Sequence, residues 1–334
     1  MSRSFVHVHL AALRYFAETA RAGSMRQAAE RLSVAASAVN RQIIKLEDQL
    51  QAKLFERRAE GVRLTAAGEV LYGYAMKLDQ DLERAIGHID DLRGLRRGHV
   101  RLACEDGLGR DFLPPVLAAY HAAYPGVTFS VEIAGAKDIM EMVAAEAVDI
   151  GIAMSPPVRG DLTIAAISEI PLGVICPPGS HLARRGALKL TDLIGEPLVN
   201  TRKGTGGGTG WRDYLEASDP RTRAFDTNAP DFVTNLVRAG LGVGVRTPVG
   251  VMAEIAAGTL AFVPIEDRLA PPPSLTVYVQ PMRTLPGAGA MLLERLKEAL
   301  PGFRAEVGQL VRSRAAVPDA VPAETGVAAA ATLP

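Results

Sequence analysis

Cysteine is scarce in this chain. Cys104 and Cys176 are the only two in 334 residues, too few for a disulfide framework or a zinc ribbon. Aromatics make up 5%, with one tryptophan. No apolar run approaches the roughly 18–20 residues of a membrane span, and the first residues hold no apolar signal-peptide core. A cytoplasmic protein without a membrane partner is therefore expected. His7, His9, His88, His99, His121 and His181 show no metal-ligand spacing, so no metal is expected. Ser-x-x-Lys, Gly-x-Ser-x-Gly and paired catalytic carboxylates are missing, which argues against an enzyme. Apolar residues are not short: at 48% they support a sizeable core and exclude wholesale disorder.

Net charge is also absent, with 37 Lys and Arg against 37 Asp and Glu. The balance is uneven along the chain. Residues 1–65 carry eleven basic and six acidic side chains, a net of +5; residues 66–99 carry a net of −1 and the remainder −4. A basic head on a slightly acidic body points to a polyanion partner for the head. Chance fluctuation in a short window accounts for the same numbers.

The head reads as three helices. Leu10, Leu13, Phe16, Ala17 and Ala20 share one face of a helix over His9–Arg21, which Gly23 ends as a C′ glycine. Ser24 followed by Gln27 matches a capping box for a second helix, Met25–Leu32. Ser33 is the expected cap of a third helix reaching about Leu50. Val39, Ile43, Leu46 and Leu50 form its buried stripe. Ser37, Asn40, Arg41, Ile44, Lys45 and Asp48 occupy the other face. A short helix, a turn and a longer helix with a polar face is the helix-turn-helix plan, whose second helix enters the major groove. Arg41 suits a guanine, Asn40 an adenine, Ala36 a thymine methyl and Lys45 a phosphate. Ser37, Arg26 and Gln27 complete the candidate contacts on the helices. A small helical bundle with a solvated face fits the periodicity equally well. The segment Lys53–Thr65 then reads as two short strands around Ala59-Glu60-Gly61, a wing that offers Arg57, Arg58 and Arg63 to phosphates.

The run Leu13-Arg-Tyr-Phe16, Gly23-Ser24, Ala28-Ala-Glu-Arg-Leu32, Arg41-Gln-Ile43, Leu46-Glu47, Leu54-Phe-Glu-Arg57 and Leu64-Thr65-Ala-Ala-Gly68 resembles the LysR-type transcriptional regulators, in the family's order and spacing. The resemblance implies a winged helix-turn-helix over residues 1–65. Three positions depart from the family: Ala36 stands near a customary Gln, Asn40 at a customary Ser and Gln51 at a customary Gly. Because the tip of the reading helix differs, no operator preference is inherited.

Thr65 is a suitable N-cap, with Glu69 in the first turn, for a helix over residues 66–94. Leu71, Ala75, Leu78, Leu82, Ala85, Ile89 and Leu92 form an a/d seam of about three heptads. The seam must be buried, against its twin in a dimer or against the body of the same chain. The resemblance favours a linker that pairs two heads, in a homodimer or homotetramer. Gly94–Gly98 reads as a hinge.

From Val100 short apolar runs alternate with helices, an α/β pattern. Strands are expected at Val100–Cys104, Thr128–Ile133, Asp149–Ala153, Leu172–Cys176, Gly242–Val245, Phe262–Ile265 and Leu275–Val279. Helices are expected at Phe112–Tyr124, Ile139–Ala147, Trp211–Ala217, Phe232–Ala239 and Ala290–Leu300. Gly98-His-Val-Arg-Leu102, Leu113-Pro114, Tyr124-Pro125, Asp149-Ile-Gly-Ile152 and Leu236–Gly244 with Pro248 resemble the family's effector domain, here residues 95–310. That resemblance implies two subdomains, like a type 2 periplasmic binding protein. Subdomain I would span about 98–166 and 268–310, and subdomain II about 167–267. Crossover strands are expected near Ile164–Ser168 and Pro264–Arg268. Residues 311–334, largely Ala, Pro and Val, read as a disordered tail.

Ligands of open α/β sheets sit at the carboxyl ends of strands. The loops placed there by the resemblance are Cys104–Gly107, Gly135–Lys137, Asn200–Lys203, Thr227–Asn228 and Arg246–Thr247. They offer Glu105, Asp106, Gly107, Ala136, Lys137, Thr201, Arg202, Asn228 and Arg246 as effector contacts. Glu105 and Asp106 suit a cation, a polyol or water, whereas Arg202, Lys203 and Arg246 suit an anion, so ligand charge stays open. Solvated loop carboxylates, or caps of the next helix, fit Glu105 and Asp106 equally. Gly204–Gly210 lacks the Lys-Ser/Thr of a P-loop and reads as a loop over the cleft mouth. Cys104, at a strand end, is either a redox thiol or a small buried hydrophobe.

The expected molecule is a LysR-type regulator. Its partners would be a double-stranded inverted-repeat operator, a small-molecule co-inducer and, as a further candidate, RNA polymerase; no other cofactor is expected. The alternatives are a metabolite-binding protein without specific DNA recognition and an enzyme with a DNA-binding head.

Overall fold

The computed structural model describes residues 8–58, 61–92, 97–156, 159–201, 210–218, 223–281, 285 and 287–315. The chain divides at His99–Val100 into a small unit and a large one. The small unit contains α1 (Leu10–Ala22), α2 (Met25–Arg31), α3 (Ala36–Leu50), the hairpin β1 (Phe55–Arg58) and β2 (Gly61–Leu64), and α4 (Ala66–Leu92). Phe16, Val39, Ile43, Leu46 and Leu54 are buried together, each worth about 1.5–3 kcal/mol of transfer free energy. Gly23 ends α1 at φ +63°, a conformation that costs a residue with a Cβ about 1–2 kcal/mol. The Ser24 hydroxyl accepts from the Gln27 amide at 3.5 Å.

The start of α3 departs from expectation. Ala35, not Ser33, is its N-cap, without a side-chain hydrogen bond. Ser33 instead takes φ +54° in the α2–α3 turn, which moves its hydroxyl away from any capping position. At the other end Gln51 takes φ +51°, the place of the family's customary glycine, and its side-chain amide donates to Asp48 O at 2.7 Å. Thr65 acts as expected: its Oγ1 accepts from the Gly68 amide at 3.0 Å and donates to Lys53 O at 2.6 Å. The cap thus fixes α4 to the strand entering the wing.

The large unit has two lobes. In lobe I a five-stranded sheet runs in the order β4-β3-β5-β12-β6. Its members are β3 (Gly98–Cys104), β4 (Val127–Ile133), β5 (Ile150–Met154), β6 (Thr163–Glu169) and β12 (Ser274–Val279). β3 and β5 are parallel, and β12 is antiparallel to both β5 and β6. Helices α5 (Asp106–Asp111), α6 (Leu113–Ala123) and α7 (Ala136–Ala144) belong to this lobe. Lobe II has an antiparallel sheet ordered β10-β7-β11, from β7 (Gly173–Cys176), β10 (Gly244–Arg246) and β11 (Ala261–Pro264), and a parallel pair, β8 (Leu198–Thr201) with β9 (Arg223–Thr227). Its helices are α8 (Gly210–Ser218), α9 (Pro230–Arg238) and α10 (Met252–Ala257), and α11 (Gly287–Ala315) is the last element among the described residues.

Seven expected strands are present, with shifted ends. Two others had been passed over: β8 and β9. The expected crossover Ile164–Ser168 is β6 itself, an edge strand paired with β12; the chain crosses between lobes at Ile170–Leu172 and returns through 265–273. The expected boundary at 166/167 therefore falls inside a strand. The expected tail also begins too early, since α11 continues through Pro301 to Ala315, and Leu310 and Val311 join the lobe II core with Val233, Val237 and Ile255. Residues 316–334 lie outside the described residues. Both thiols are free and buried. Burial, then the charges of Asp106 and Glu105, pushes Cys104 up to about 11, and burial does the same for Cys176. Thiolate is scarce at such values, so the small-hydrophobe reading of Cys104 fits.

Candidate nucleic-acid interface and ligand cavity

The outward face of α3 follows from its inward one. Val39, Ile43 and Leu46 point into the core, so the side chains between them face out. Ala36, Ser37, Arg41, Ile44, Lys45 and Asp48 are exposed, with Asn40 half-buried. On α2, Arg26 and Gln27 are exposed, and Arg26 pairs with Glu30 at 3.2 Å. An exposed pair of this kind is worth at most about 1 kcal/mol, so Arg26 is readily released to a phosphate. In the wing, Arg58 and Arg63 are exposed, and Arg58 lies 3.4 Å from Glu56. Arg57 stands opposite Val62 in the register; its side chain lies outside the described residues.

Glu47 holds the wing to α3. Its buried carboxylate accepts from the Leu54 amide at 2.9 Å, from the Phe55 amide at 3.4 Å and from Lys53 Nζ at 2.7 Å. Burial alone would raise its pKa, but Lys53 and the two amides together hold it below the ordinary value. Helical spacing placed Glu47 next to the stripe without revealing this role, because its partners belong to another element. Gly61 seats the wing on α1: it lies at φ +140°, and a Cβ there would come within 2.2 Å of Gly23 O, which accepts from the Val62 amide at 2.9 Å.

In the large unit a cavity of about 320 Å³ lies between the lobes, lined among others by Glu105, Asp106, Gly107, Asn228 and Arg246. That is the lower end of the range for small-molecule sites. Two expected contacts do not line it. Lys137 is exposed and faces Glu141 at 3.8 Å, one turn along α7, and Ala136 contributes an amide rather than a side-chain contact. Arg202 and the loop 202–209 lie outside the described residues, as does the side chain of Thr201. Trp211, Arg212, Met154 and Leu172 line the cavity without having been expected. Met154 follows one expected strand, Leu172 begins another, and Trp211 and Arg212 begin an expected helix; Trp211, the sole tryptophan, after a glycine run, was the available signal.

The first loop is built unusually. Glu105 is the N-cap of α5, yet its side chain makes no capping bond. Its carboxylate instead accepts from the Met154 amide at 3.1 Å and from the amide of Ala136, the first residue of α7. Burial outweighs both amides and pushes Glu105 up to about 7. Arg246 is half-buried and donates to Val249 O at 2.8 Å, Thr234 Oγ1 at 3.2 Å and Thr247 O at 3.3 Å. The Arg212 guanidinium lies 4.9 Å from the Trp211 ring centroid.

The far end of α5 clasps lobe II. Asp111 accepts from the Gly250 amide at 2.6 Å and the Met252 amide at 3.4 Å, at the start of α10. Arg110 pairs with Asp231 at 2.6 Å and Glu254 at 3.3 Å. One short helix and its N-cap residue thus link the acidic wall of the cavity, Glu105 and Asp106, to bonds that Arg110 and Asp111 make with lobe II. No cluster of metal-ligating side chains occurs among the described residues, and no described helix is long and apolar enough to cross a membrane.

Comparison with known proteins matches both units. Residues 10–69 match the family described as "Bacterial regulatory helix-turn-helix protein, lysR family", and residues 93–301 match "LysR substrate binding domain". The RuBisCO operon transcriptional regulator of Allochromatium vinosum is 28% identical over 295 residues, covering 88% of this chain and 97% of that protein. The uncharacterized HTH-type transcriptional regulator YeiE of Escherichia coli K12 is 30% identical, covering 78% of this chain and 87% of its own. Among solved structures, full-length CbnR complexed with its target DNA superimposes with a TM-score of 0.64 at 22% identity, covering 88% of this chain and 99% of CbnR. A full-length OxyR variant of Pseudomonas aeruginosa gives 0.64 at 21%, covering 88% and 95%.

Proposed function

This chain belongs to the LysR-type transcriptional regulators, and from that premise we propose that it binds an inverted-repeat operator as a dimer and answers to a small molecule held between the lobes of its large unit. The observation that carries the reading is the outward face of α3. It presents Ser37, Asn40, Arg41 and Lys45 next to a wing bearing Arg58 and Arg63. A helix of this kind reads base edges while the wing holds phosphates.

Dimerisation follows from α4. The head absorbs Leu71 and Ala75 into its own core. Further along, Leu78, Leu82, Ile86 and Ile89 stand 42%, 42%, 50% and 48% exposed. Side chains of this size on one helix are covered most simply by a second copy, which sets two reading helices about 34 Å apart on the duplex. The ligand would act by changing how α5 clasps lobe II, and so the packing of subunits on DNA. The ligand is read as a co-inducer, in keeping with the transcriptional regulators that this chain resembles; no further cofactor is proposed. A cytoplasmic location and contact with RNA polymerase complete the reading.

Mobility shift and footprinting of the full chain on the DNA upstream of its own gene, across a salt series, test this. A protected inverted repeat bound far more tightly than scrambled DNA is expected. Weak, sequence-blind binding erased by salt would overturn the operator reading.

A further inference from the structure

The charged lining of the cavity is divided between the lobes. Lobe I contributes Glu105 and Asp106, and lobe II contributes Arg212 and Arg246. Desolvation works against the charge of the Arg246 guanidinium, whereas Asp231, Asp111 and Asp106 favour it and Arg110 opposes it. The wall between these poles is apolar, with Ile133, Met154, Trp211 and Val245 among its members.

An anion would ordinarily be drawn to the amides at the start of α7. Here that position is filled from within, because Glu105 already accepts from the Ala136 and Met154 amides. A ligand carboxylate placed there would meet a protein carboxyl and the neighbouring Asp106. A ligand ammonium would find two acceptors. The opposite holds on lobe II, where Arg246 spends three N–H groups on protein oxygens out of the five that a guanidinium carries. Arg212 lies beside Trp211. A simple anion therefore suits one wall and a simple amine the other, and each is opposed across the cavity.

We propose that the ligand is a small amphoteric molecule of the α-amino-acid type with an apolar side chain, its ammonium toward Glu105 and Asp106 and its carboxylate toward Arg212 and Arg246. This rests on the effector reading of the same cavity. The volume of about 320 Å³ equals that of about ten waters at ~30 Å³ each, which admits a single amino acid of moderate size.

Trp211 is the only tryptophan of the chain and lines the cavity, so its fluorescence reports occupancy. The full-length protein is titrated with L-leucine, L-methionine and L-phenylalanine. Each is compared with its analogue lacking the amino group and its analogue lacking the carboxylate. At least one amino acid is expected to give a saturable change, with both truncated analogues weaker by about tenfold or more, some 1.4 kcal/mol. Asp106→Asn is expected to shrink the preference for the amino acid over its des-amino analogue, while the emission of the unliganded protein stays that of the parent. Saturation by the des-amino carboxylate at equal or lower concentration would overturn the ligand class. So would the lack of any saturable change with the three amino acids up to about 10 mM, well beyond millimolar affinity. Operator mobility shifts on the same samples separate the two readings. If the des-amino acid binds and alters operator affinity, the effector reading survives and the ligand class falls. If an amino acid saturates Trp211 but the chain binds no operator, the ligand class stands and the regulator reading fails.

Discussion

Single side chains separate reading from holding. Arg41→Ala is expected to cost about 1–3 kcal/mol on the operator and to relax specificity, with scrambled DNA affected little. Arg58→Ala should instead weaken all DNA alike and reduce the salt slope by about 1. Fluorescence anisotropy with both duplexes over a salt series checks the pair. If Arg41→Ala weakens both duplexes equally, Arg41 is a phosphate contact. In the large unit, Glu105 makes a pH prediction. Its folded pKa, up to about 7, exceeds the unfolded value of about 4.3, so the folded state binds the extra proton between them. Stability from this group therefore falls as pH rises from about 4.3 to 7, on the order of 3 kcal/mol at full effect. Glu105→Gln should flatten that slope, as read by urea unfolding from pH 5 to pH 8; an unchanged slope would assign the dependence to another group. The types of these residues were legible in the sequence. The burial of Glu105 and its acceptance from Met154, 49 positions away, were not, because nothing local signals a contact between strand ends.

At the scale of elements, helices and the wing were legible from periodicity and punctuation: Gly23 and Thr65 lie where their chemistry requires. What escaped were elements whose reason is non-local. Ile164–Ser168 was expected as a crossover strand, and only its pairing with β12 makes it the edge strand β6 of lobe I. Ser33 looked like a cap, yet the turn consumes it as a residue of positive φ. Glu47 shows how elements are joined. In Glu47→Gln the Lys53 ion pair is lost and at least one amide bond weakens, which should cost about 1–3 kcal/mol. Hydrogen exchange of the Leu54 and Phe55 amides in the full chain should accelerate in the variant. The carboxylate's folded pKa lies below its unfolded one, so its contribution is present above about pH 4.3 and is lost as pH falls through the folded value. The parent wing should therefore loosen in acid, and the variant should show little of this change. Equal protection in both proteins would remove Glu47 as the link.

For the whole molecule the decisive face is α4. Leu82→Asp would place a charge in the exposed seam. Sedimentation should then show monomers where the parent is dimeric, with operator affinity down by about tenfold or more from the lost avidity. A variant that stays dimeric would put the interface elsewhere. By itself the sequence determined the order of parts: a basic winged head, a seamed helix and an α/β body, whose two lobes only the family resemblance implied. These follow from near-neighbour chemistry, in which caps, helical periods and strand alternation act within a few residues. The tertiary structure alone decided that Leu71 and Ala75 belong to the head while Leu78, Leu82, Ile86 and Ile89 stay exposed. It also decided that Lys137 turns away from the cavity, that Trp211 and Arg212 enter it, and that Glu105 fills the amides at the start of α7. Each of these depends on which distant surfaces exclude water from a side chain, and burial of that kind is set by the packed chain rather than by any stretch of it.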